Sequence, residues 1–149
     1  MTISVRPIAA ADREAWQKLY LAYLAFYESE PIESSTELVW SRLTAQTPEI
    51  QGLVAELDGE IVGIVHFHYQ VSTWTHSWHC YLEDLFVAEG ARGHGAASAL
   101  IEAVKHAANE HKCSELYWIT KKGNETARRL YDKVATLSDF VRYEILLED

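Results

Sequence analysis

Residues Tyr81–Ile101 read YLEDLFVAEGARGHGAASALI, and this stretch decides the fold. The first part, Tyr81–Val87, is short and mostly apolar and is followed by Ala88-Glu89-Gly90, so it is predicted to be a buried strand. The next part, Arg92-Gly93-His94-Gly95, is disfavoured inside a helix because each glycine there costs about 1 kcal/mol. Apolar residues then recur at helical spacing and predict a helix over Ala96–His111. The stretch is therefore a strand, a basic glycine turn and a helix.

The glycine turn is suited to binding a phosphate group. Gly93 and Gly95 lack a Cβ atom, so the backbone approaches a ligand closely and turns its N–H groups outward. The helix dipole adds partial positive charge, and Arg92 adds a full one. A plain structural turn has the same pattern and stays an open alternative. A Walker loop is excluded because no Gly-Lys-Ser/Thr follows, and Ser98 replaces the third glycine of a Rossmann fingerprint.

Two motifs together resemble the GNAT superfamily of acyl-CoA-dependent N-acetyltransferases. Residues 92–97 match its Q/R-x-x-G-x-G/A signature, with Ala97 at the last position. Its N-x-x-A-x-x-L-Y helix is matched downstream by Asn124, Ala127, Leu130 and Tyr131. The run Leu82–Val87 is similar to the polyamine (spermidine/spermine-type) acetyltransferase branch and its microbial relatives. The resemblance covers nearly the whole chain.

The resemblance implies an acetyl-CoA site made mostly of backbone groups. Leu85, Phe86 and Val87 would pair with the pantetheine arm like a neighbouring strand, and one of their N–H groups could polarise the thioester carbonyl. The pyrophosphate would be cradled by Arg92, Gly93, His94, Gly95, Ala96 and Ala97. In the second motif, Asn124 and Ala127 would bind the pantetheine arm, although a plain helix N-cap has the same appearance at Asn124.

Acetyl transfer to an amine needs a base and an acid, because an alkyl amine with a reference pKa of about 10.4 is mostly protonated at neutral pH. Glu83 is the candidate base, since a charge in a central strand is costly without a reason. The matching glutamate of the polyamine branch is its proposed base. An exposed or arginine-paired Glu83 is the ordinary alternative, and Asp84 is the alternative base. For Tyr131, the resemblance implies a general acid near the CoA sulfur, and a core tyrosine is the alternative.

Aromatic residues near the N-terminus are candidates for the acceptor site. Asp12 is predicted to cap a helix that runs to about Tyr27. One stripe of it carries Trp16, Leu19, Tyr20, Tyr23, Leu24 and Tyr27. Core packing is the ordinary reading of these aromatics, and a cleft lined by Tyr23 or Tyr27 is the other.

Four carboxylates follow this helix within ten residues, at Glu28, Glu30, Glu33 and Glu37. They predict either a solvated turn or an acidic mouth that attracts an amine. Ser34 and Glu37 have capping-box spacing, so a second helix is predicted over Ser35–Ala45. The resemblance places the acceptor near these two helices, and the predicted substrate-binding residues are Tyr27, Glu28 and Asp84.

The bulk properties limit the class of protein. A length of 149 residues indicates one domain, and a net charge of −9 disfavours nucleic acid and suits a cationic acceptor. The two cysteines, Cys80 and Cys113, have no metal or redox spacing and predict reduced thiols in the cytoplasm. The N-terminus lacks the apolar core of a signal peptide, and the histidines within Ile61–Leu82 disfavour a membrane span. His66 and His68 share a strand face, but no carboxylate or cysteine completes a metal-ligand spacing, so no metal is expected.

The remaining elements give an α/β fold. Strands are predicted over Thr2–Arg6, Gln51–Leu57, Glu60–Tyr69, Ser114–Thr120 and Phe140–Leu147, the last as one strand or a strand pair. Asp58-Gly59 is a hairpin turn signal. The order β-α-α-β-β-β-α-β-α-β is that of GNAT domains and predicts a mixed, mostly antiparallel sheet of six to seven strands with helices on both faces. The resemblance also implies that the fourth and fifth strands splay apart, and it implies a homodimer, which the apolar C-terminal strand favours.

These observations predict a single GNAT domain over residues 1–149 that moves an acetyl group from acetyl-CoA to a primary amine. The expected acceptor is a small cationic molecule, a polyamine or an amino-acid-like amine, attacked directly in a ternary complex. Two alternatives stay open. One is acetylation of protein or peptide amines, and the other is a non-catalytic acyl-CoA-binding module.

Overall fold

Five strands and four α-helices make up the part of the chain that this computed structural model describes, residues 2–29, 33–74 and 76–148. In chain order they are β1 Ile3–Pro7, α1 Arg13–Phe26, α2 Glu33–Thr44, β2 Gln51–Leu57, β3 Glu60–Val71, β4 Trp78–Val87, α3 Ala96–Glu110, β5 Cys113–Tyr117 and α4 Glu125–Val134. The five strands and first three helices belong to a unit that ends at Ile119, and α4 and the C-terminal segment form a second unit from Thr120. None of the described helices is long and apolar enough to cross a membrane.

The sheet of the first unit has the strand order β1-β2-β3-β4-β5. The first three neighbour pairs are antiparallel and β4 pairs with β5 in parallel, so the prediction of a mixed, mostly antiparallel sheet is confirmed. The predicted hairpin is also present. Asp58 and Gly59 have φ angles of 52° and 82°, both in the left-handed region that a tight two-residue hairpin turn requires.

The prediction of six to seven strands is wrong, because the described residues form five. The strand predicted over Ser114–Thr120 is shorter and lies at Cys113–Tyr117. The strand predicted over Phe140–Leu147 does not form, and no residue from 135 to 148 belongs to a strand. An apolar, β-prone sequence becomes a strand only where a neighbouring strand completes its hydrogen bonds, and its composition does not reveal that neighbour.

Helices cover both faces of the sheet, as predicted. On one face, Trp16 and Leu19 of α1 cluster with Leu43 of α2 and with Ile64 of β3. On the other face α3 packs, since a Cβ atom at Gly63 would lie 3.1 Å from the Leu100 side chain. Gly63 and Ile64 are adjacent in β3 and therefore point to opposite faces.

The cap predicted for α1 is not observed. The Asp12 side chain makes no capping hydrogen bond to α1. Its carboxylate instead accepts from the Arg6 guanidinium at 2.8 and 2.9 Å and from the Ala9 N–H at 2.7 Å. In α2, which begins two residues earlier than predicted, the Glu37 carboxylate accepts a hydrogen bond from Arg13 and so links α1 to α2. The Ser34 side chain of the predicted capping box lies outside the described residues.

Candidate active site

An irregularity in the pairing of β3 with β4 creates the centre of the site. His66 is paired with Asp84, and the next residue, Phe67, is paired with Leu82. Glu83 is therefore an extra residue in β4 that has no partner in β3. A bulge of this kind bends the strand and re-aims side chains, and bulges are enriched beside active sites. Regular alternation would send consecutive side chains to opposite faces, and the bulge relieves Glu83 and Asp84 of that constraint.

Three tyrosines of α1 and its C-terminal end face these carboxylates. They are half-buried, and they follow the helical spacing i, i+3, i+7 as Tyr20, Tyr23 and Tyr27. Burial raises the pKa of each hydroxyl, and the charge of Asp84 raises it further. The Asp84 carboxylate also acts on Tyr23 as a hydrogen-bond acceptor, and Glu83 raises the pKa of Tyr20 and of Tyr23.

The apolar and aromatic residues along one side of α1 therefore belong partly to the core and partly to the candidate site. Trp16 and Leu19 are buried in the core, whereas the tyrosines lie beside charged groups. Tyr27 ends the helix, and exposed Glu28 follows it with a φ of 55°. Of the other predicted acidic residues, Glu30 and the side chain of Glu33 lie outside the described residues.

Glu83 has the environment of a carboxyl group that binds a proton more tightly than usual. Its side chain is 44% exposed. Burial raises the pKa of Glu83, and the negative charge of Asp84 raises it further, while His68 and His66 lower it. The His68 Nε2 atom lies 4.0 Å from Glu83 Oε1. A carboxylate with a raised pKa beside other polar groups is suited to accept a proton from an ammonium group.

His66 is a further residue of the candidate site, and its sequence pattern suggests only a metal ligand. It is 1% exposed, and its two ring nitrogens contact Trp16 and Asp84. The signal for a role of His66 is its pairing with Asp84 in the neighbouring strand. This pairing depends on the register of the two strands, which neither strand's sequence reveals. Among the described residues no three histidines, cysteines or carboxylates gather as a metal site.

The edge of β4 that faces β5 is only partly used by the sheet. Pairing with β5 runs from Trp78 to Tyr81, where Tyr81 is paired with Tyr117. In the described part of the chain, β4 continues from Leu82 to Val87 without a β5 partner. The pairing of the fourth and fifth strands thus ends where β5 ends at Tyr117, and the splay that the resemblance implies stays a prediction. The predicted cofactor residues Leu85, Phe86 and Val87 lie on this portion of the strand.

The glycine turn that follows β4 has the backbone conformation that its glycines predict. Gly93 and Gly95 have φ angles of 88° and 83°, in the region that other residues rarely adopt. Arg92 ties the turn to β4, because its Nε donates to the Val87 carbonyl at 3.3 Å and its guanidinium carbon lies 5.7 Å from the Phe86 ring centre. The residues that follow differ in exposure: His94 is exposed, Ala96 is buried and Ala97 is half-buried.

The second motif lies in the second unit. Asn124 is the N-cap of α4, and its side-chain oxygen accepts from the Ala127 N–H at 3.4 Å, so the predicted cap is confirmed. Its amide nitrogen donates to Thr120 at 3.4 Å. Tyr131 is half-buried in the middle of α4. The roles of Asn124, Ala127 and Tyr131 toward a ligand stay predictions.

The sequence pattern of the acetyltransferase (GNAT) family matches residues 14–135, which include parts of both units. The D-amino-acid N-acetyltransferase HPA3 of Saccharomyces cerevisiae is 32% identical over 144 residues, which cover 95% of this chain and 89% of the yeast protein. The thialysine N-epsilon-acetyltransferase of Bos taurus is 33% identical over 118 residues, covering 72% of this chain and 69% of the bovine protein. These similarities concern most of the sequence.

The fold is also shared with solved structures. The crystal structure of the ribosomal-protein-alanine N-acetyltransferase from Brucella melitensis matches with a TM-score of 0.83 at 24% identity, covering 98% of this chain and 100% of that protein. At this identity the match supports the fold alone.

Proposed function

This chain belongs to the acetyltransferase (GNAT) family, and from that premise we propose that it transfers an acetyl group from acetyl-CoA to a primary amine of a small cationic acceptor. The observation that carries this proposal is the pair Glu83 and Asp84 at the bulge of β4, set among the tyrosines of α1. Negative charge and aromatic rings together attract an alkyl ammonium group. The proposed reaction is direct attack by the amine in a ternary complex.

In the proposed mechanism two residues move protons. Glu83 takes a proton from the acceptor ammonium, which frees the nitrogen lone pair to attack the thioester carbonyl carbon that acetyl-CoA supplies. The carbon–sulfur bond breaks as the carbon–nitrogen bond forms, and Tyr131 donates its hydroxyl proton to the departing sulfur. The second proton that the nitrogen loses as it becomes a neutral amide replaces the proton that Tyr131 has donated. Glu83 is supported by its raised pKa, whereas Tyr131 is supported by the family motif.

The open portion of β4 and the glycine turn are the proposed acetyl-CoA site. Leu85, Phe86 and Val87 would bind the pantetheine arm through backbone groups on the edge that β5 leaves unpaired. The N–H groups of residues 92–97 would bind the pyrophosphate, a role supported by the left-handed glycines and by the start of α3. From the family motif, Asn124 and Ala127 of α4 are also proposed to bind the pantetheine arm.

The proposed acceptor residues are Asp84, Tyr27 and Glu28. Asp84 would bind the ammonium group, and the tyrosines would surround the alkyl chain. The yeast and bovine relatives are named for a D-amino acid and for thialysine, both of which carry a primary amine. With a net charge of −9, this chain favours an acceptor that is cationic.

The reaction is tested by free-thiol release from acetyl-CoA with spermidine, thialysine, a D-amino acid and a basic peptide as acceptors. We expect turnover with at least one small amine. Glu83→Gln should lower kcat about 10²–10⁴-fold without weakening acetyl-CoA binding, and Tyr131→Phe should also lower kcat. Glu60→Gln makes the same chemical change at an exposed position of β3 and should leave the kinetics unchanged.

Other results of these assays would contradict the proposal or favour one of its alternatives. Acetyl-CoA binding without turnover of any amine would contradict the proposal and favour the non-catalytic binding module. Turnover of the peptide alone would favour a protein acetyltransferase. An unchanged kcat in Glu83→Gln would remove Glu83 as the base.

The proposal also covers the domain organisation, the cellular location and the oligomeric state of the protein. A single domain over residues 1–149 is supported by the family match, which includes residues of both units. A cytoplasmic location is supported by Cys80 and Cys113, which are free thiols. A homodimer is supported by the exposed apolar side chains of the C-terminal segment, among them Tyr143 and Ile145.

A further inference from the structure

A buried chain of hydrogen bonds lies behind the two carboxylates, and the proposed mechanism leaves it unused. The Trp16 Nε1 atom donates to His66 Nε2 at 2.9 Å, and His66 Nδ1 lies 2.9 Å from Asp84 Oδ2. Trp16 is 0% exposed and His66 is 1% exposed, whereas the Asp84 side chain is 19% exposed. These hydrogen bonds therefore connect the core below α1 with the surface of the candidate site.

The partners of His66 assign its proton. An indole nitrogen is a donor only, so the Nε2 atom that faces Trp16 must carry a lone pair. The imidazole proton consequently resides on Nδ1, from which it is donated to the Asp84 carboxylate. A ring flipped by half a turn would present carbon atoms to both partners and lose both hydrogen bonds.

The surroundings of His66 are otherwise aromatic. Its ring centre lies 6.0 Å from that of Trp16 and 5.8 Å from that of Tyr20. An aliphatic residue would fill such a position without needing any partner, and a buried polar group is tolerated there because both of its nitrogens are satisfied. The presence of a histidine at this position is therefore explained by its hydrogen bond to Asp84.

We propose that His66 is a positioning residue for acetyl transfer, which acts by holding the Asp84 carboxylate. The hydrogen bond to Oδ2 fixes the rotation of the carboxylate, so Oδ1 keeps one direction toward the tyrosines and the acceptor ammonium. Trp16 in turn fixes the His66 ring. The inference rests on the proposed function, because it takes Asp84 as the group that binds the amine.

Two substitutions separate positioning from packing. His66→Leu fills the apolar site but donates no hydrogen bond, so we expect the KM for the amine to rise about 10–100-fold while acetyl-CoA binding is kept. His66→Asn places an amide N–H at the position of Nδ1. Both variants leave Trp16 without an acceptor, but the smaller asparagine also opens a gap that leucine fills. We therefore expect His66→Asn to have the lower Tm of the two and the lower KM for the amine. A purely structural role predicts the reverse order of KM, with the less stable variant binding amine more weakly.

The imidazole proton is read directly by long-range proton–nitrogen NMR of ¹⁵N-labelled protein, with the His66 signals identified by their loss in His66→Asn. We expect a neutral ring with its proton on Nδ1. A proton on Nε2 would contradict the assigned chain of hydrogen bonds whatever the activity. A wild type that turns over no amine would contradict the proposed function and the positioning role with it, whereas an active His66→Leu enzyme with an unchanged KM for the amine would contradict only the positioning role.

Discussion

Glu83 and Asp84 are consecutive in β4 but have different surroundings, and we propose different roles for them on this ground. The Glu83 side chain is 44% exposed, and that of Asp84 is 19% exposed and accepts a hydrogen bond from His66. Repulsion between neighbouring negative charges favours a proton on one of them. Burial and the charge of Asp84 raise the pKa of Glu83, which suits Glu83 to accept a proton, whereas Asp84 is oriented by its contact with His66.

The pH dependence of kcat/KM should report this arrangement. Activity rises with pH as Glu83 loses its proton, and burial and Asp84 place that rise above the pH of an ordinary glutamate, about 4.3. Asp84→Asn removes a charge that raises the pKa of Glu83, so the acid limb should move to lower pH. His68→Gln removes a group that lowers it, so the limb should move to higher pH.

The position of the limb is read from pH–rate profiles, independently of the height of the plateau. His106→Gln, at an exposed position of α3, is the matched histidine control and should not move the limb. A shift of both site variants in the same direction would show that the limb does not belong to Glu83.

At the scale of single residues, the sequence indicates which residues are chemically important, but it does not predict how they are arranged in space. Glu83 and Asp84 are identified from a short motif, because a charge inside a strand is conspicuous without any partner. His66 is not identified as their partner, since its role depends on a strand register and on a bulge that alternation does not reveal. Trp16 is predicted as core, and its hydrogen bond to His66 depends on how α1 lies on the sheet.

At the scale of the elements, the approach of α2 to the sheet depends on a residue without a side chain. A Cβ atom at Gly52 of β2 would lie 2.8 Å from the end of the Ile8 side chain and 2.9 Å from that of Leu43. These distances are shorter than ordinary contacts between carbon atoms. Gly52 therefore allows α2 to pack closely on the same face as α1.

Gly52→Ala should lower the free energy of unfolding by about 1–3 kcal/mol, because the added methyl group overpacks a filled region. Gly90→Ala is the matched control, since its Cβ would meet no atom within 4 Å, and it should change stability by less than about 0.5 kcal/mol. Urea denaturation of the two variants provides the comparison. Equal stability of both would mean that Ile8 and Leu43 move aside without cost.

Local patterns predict the elements whose causes are local. Asp58-Gly59 determines a hairpin turn by itself, and the apolar face of α3 is complete within its own sequence. The C-terminal strand predicted over Phe140–Leu147 fails because a strand depends on a partner elsewhere. The end of the pairing between β4 and β5 is also not readable from the sequence, since β5 ends at Tyr117 without any strong breaker in its sequence.

At the scale of the whole molecule, the C-terminal segment carries an apolar surface that a monomer exposes to water. Phe140, Tyr143 and Ile145 are 80%, 93% and 86% exposed. Alternation along an extended chain would align Tyr143 with Ile145 on one face. Such a surface is typical of an interface, and we propose a second copy of this chain as its partner.

Light scattering coupled to size exclusion should give about twice the mass of one chain. The double variant Tyr143→Lys/Ile145→Lys should elute as a monomer, because it places two charges in the apolar interface. Arg142→Gln changes an exposed polar side chain next to Tyr143 and should stay dimeric. A wild type with the mass of one chain would contradict the homodimer.

The open edge of β4 beyond Tyr81 has an evolutionary consequence. It offers main-chain groups, which every residue type carries, so mutations at Leu85 or Val87 that keep the strand extended preserve it. The surface around Asp84, by contrast, is made by the side chains of Tyr20, Tyr23 and Tyr27 and changes with each substitution. For the two proposed sites, we therefore expect mutational drift to alter the choice of acceptor before it alters the choice of acyl donor.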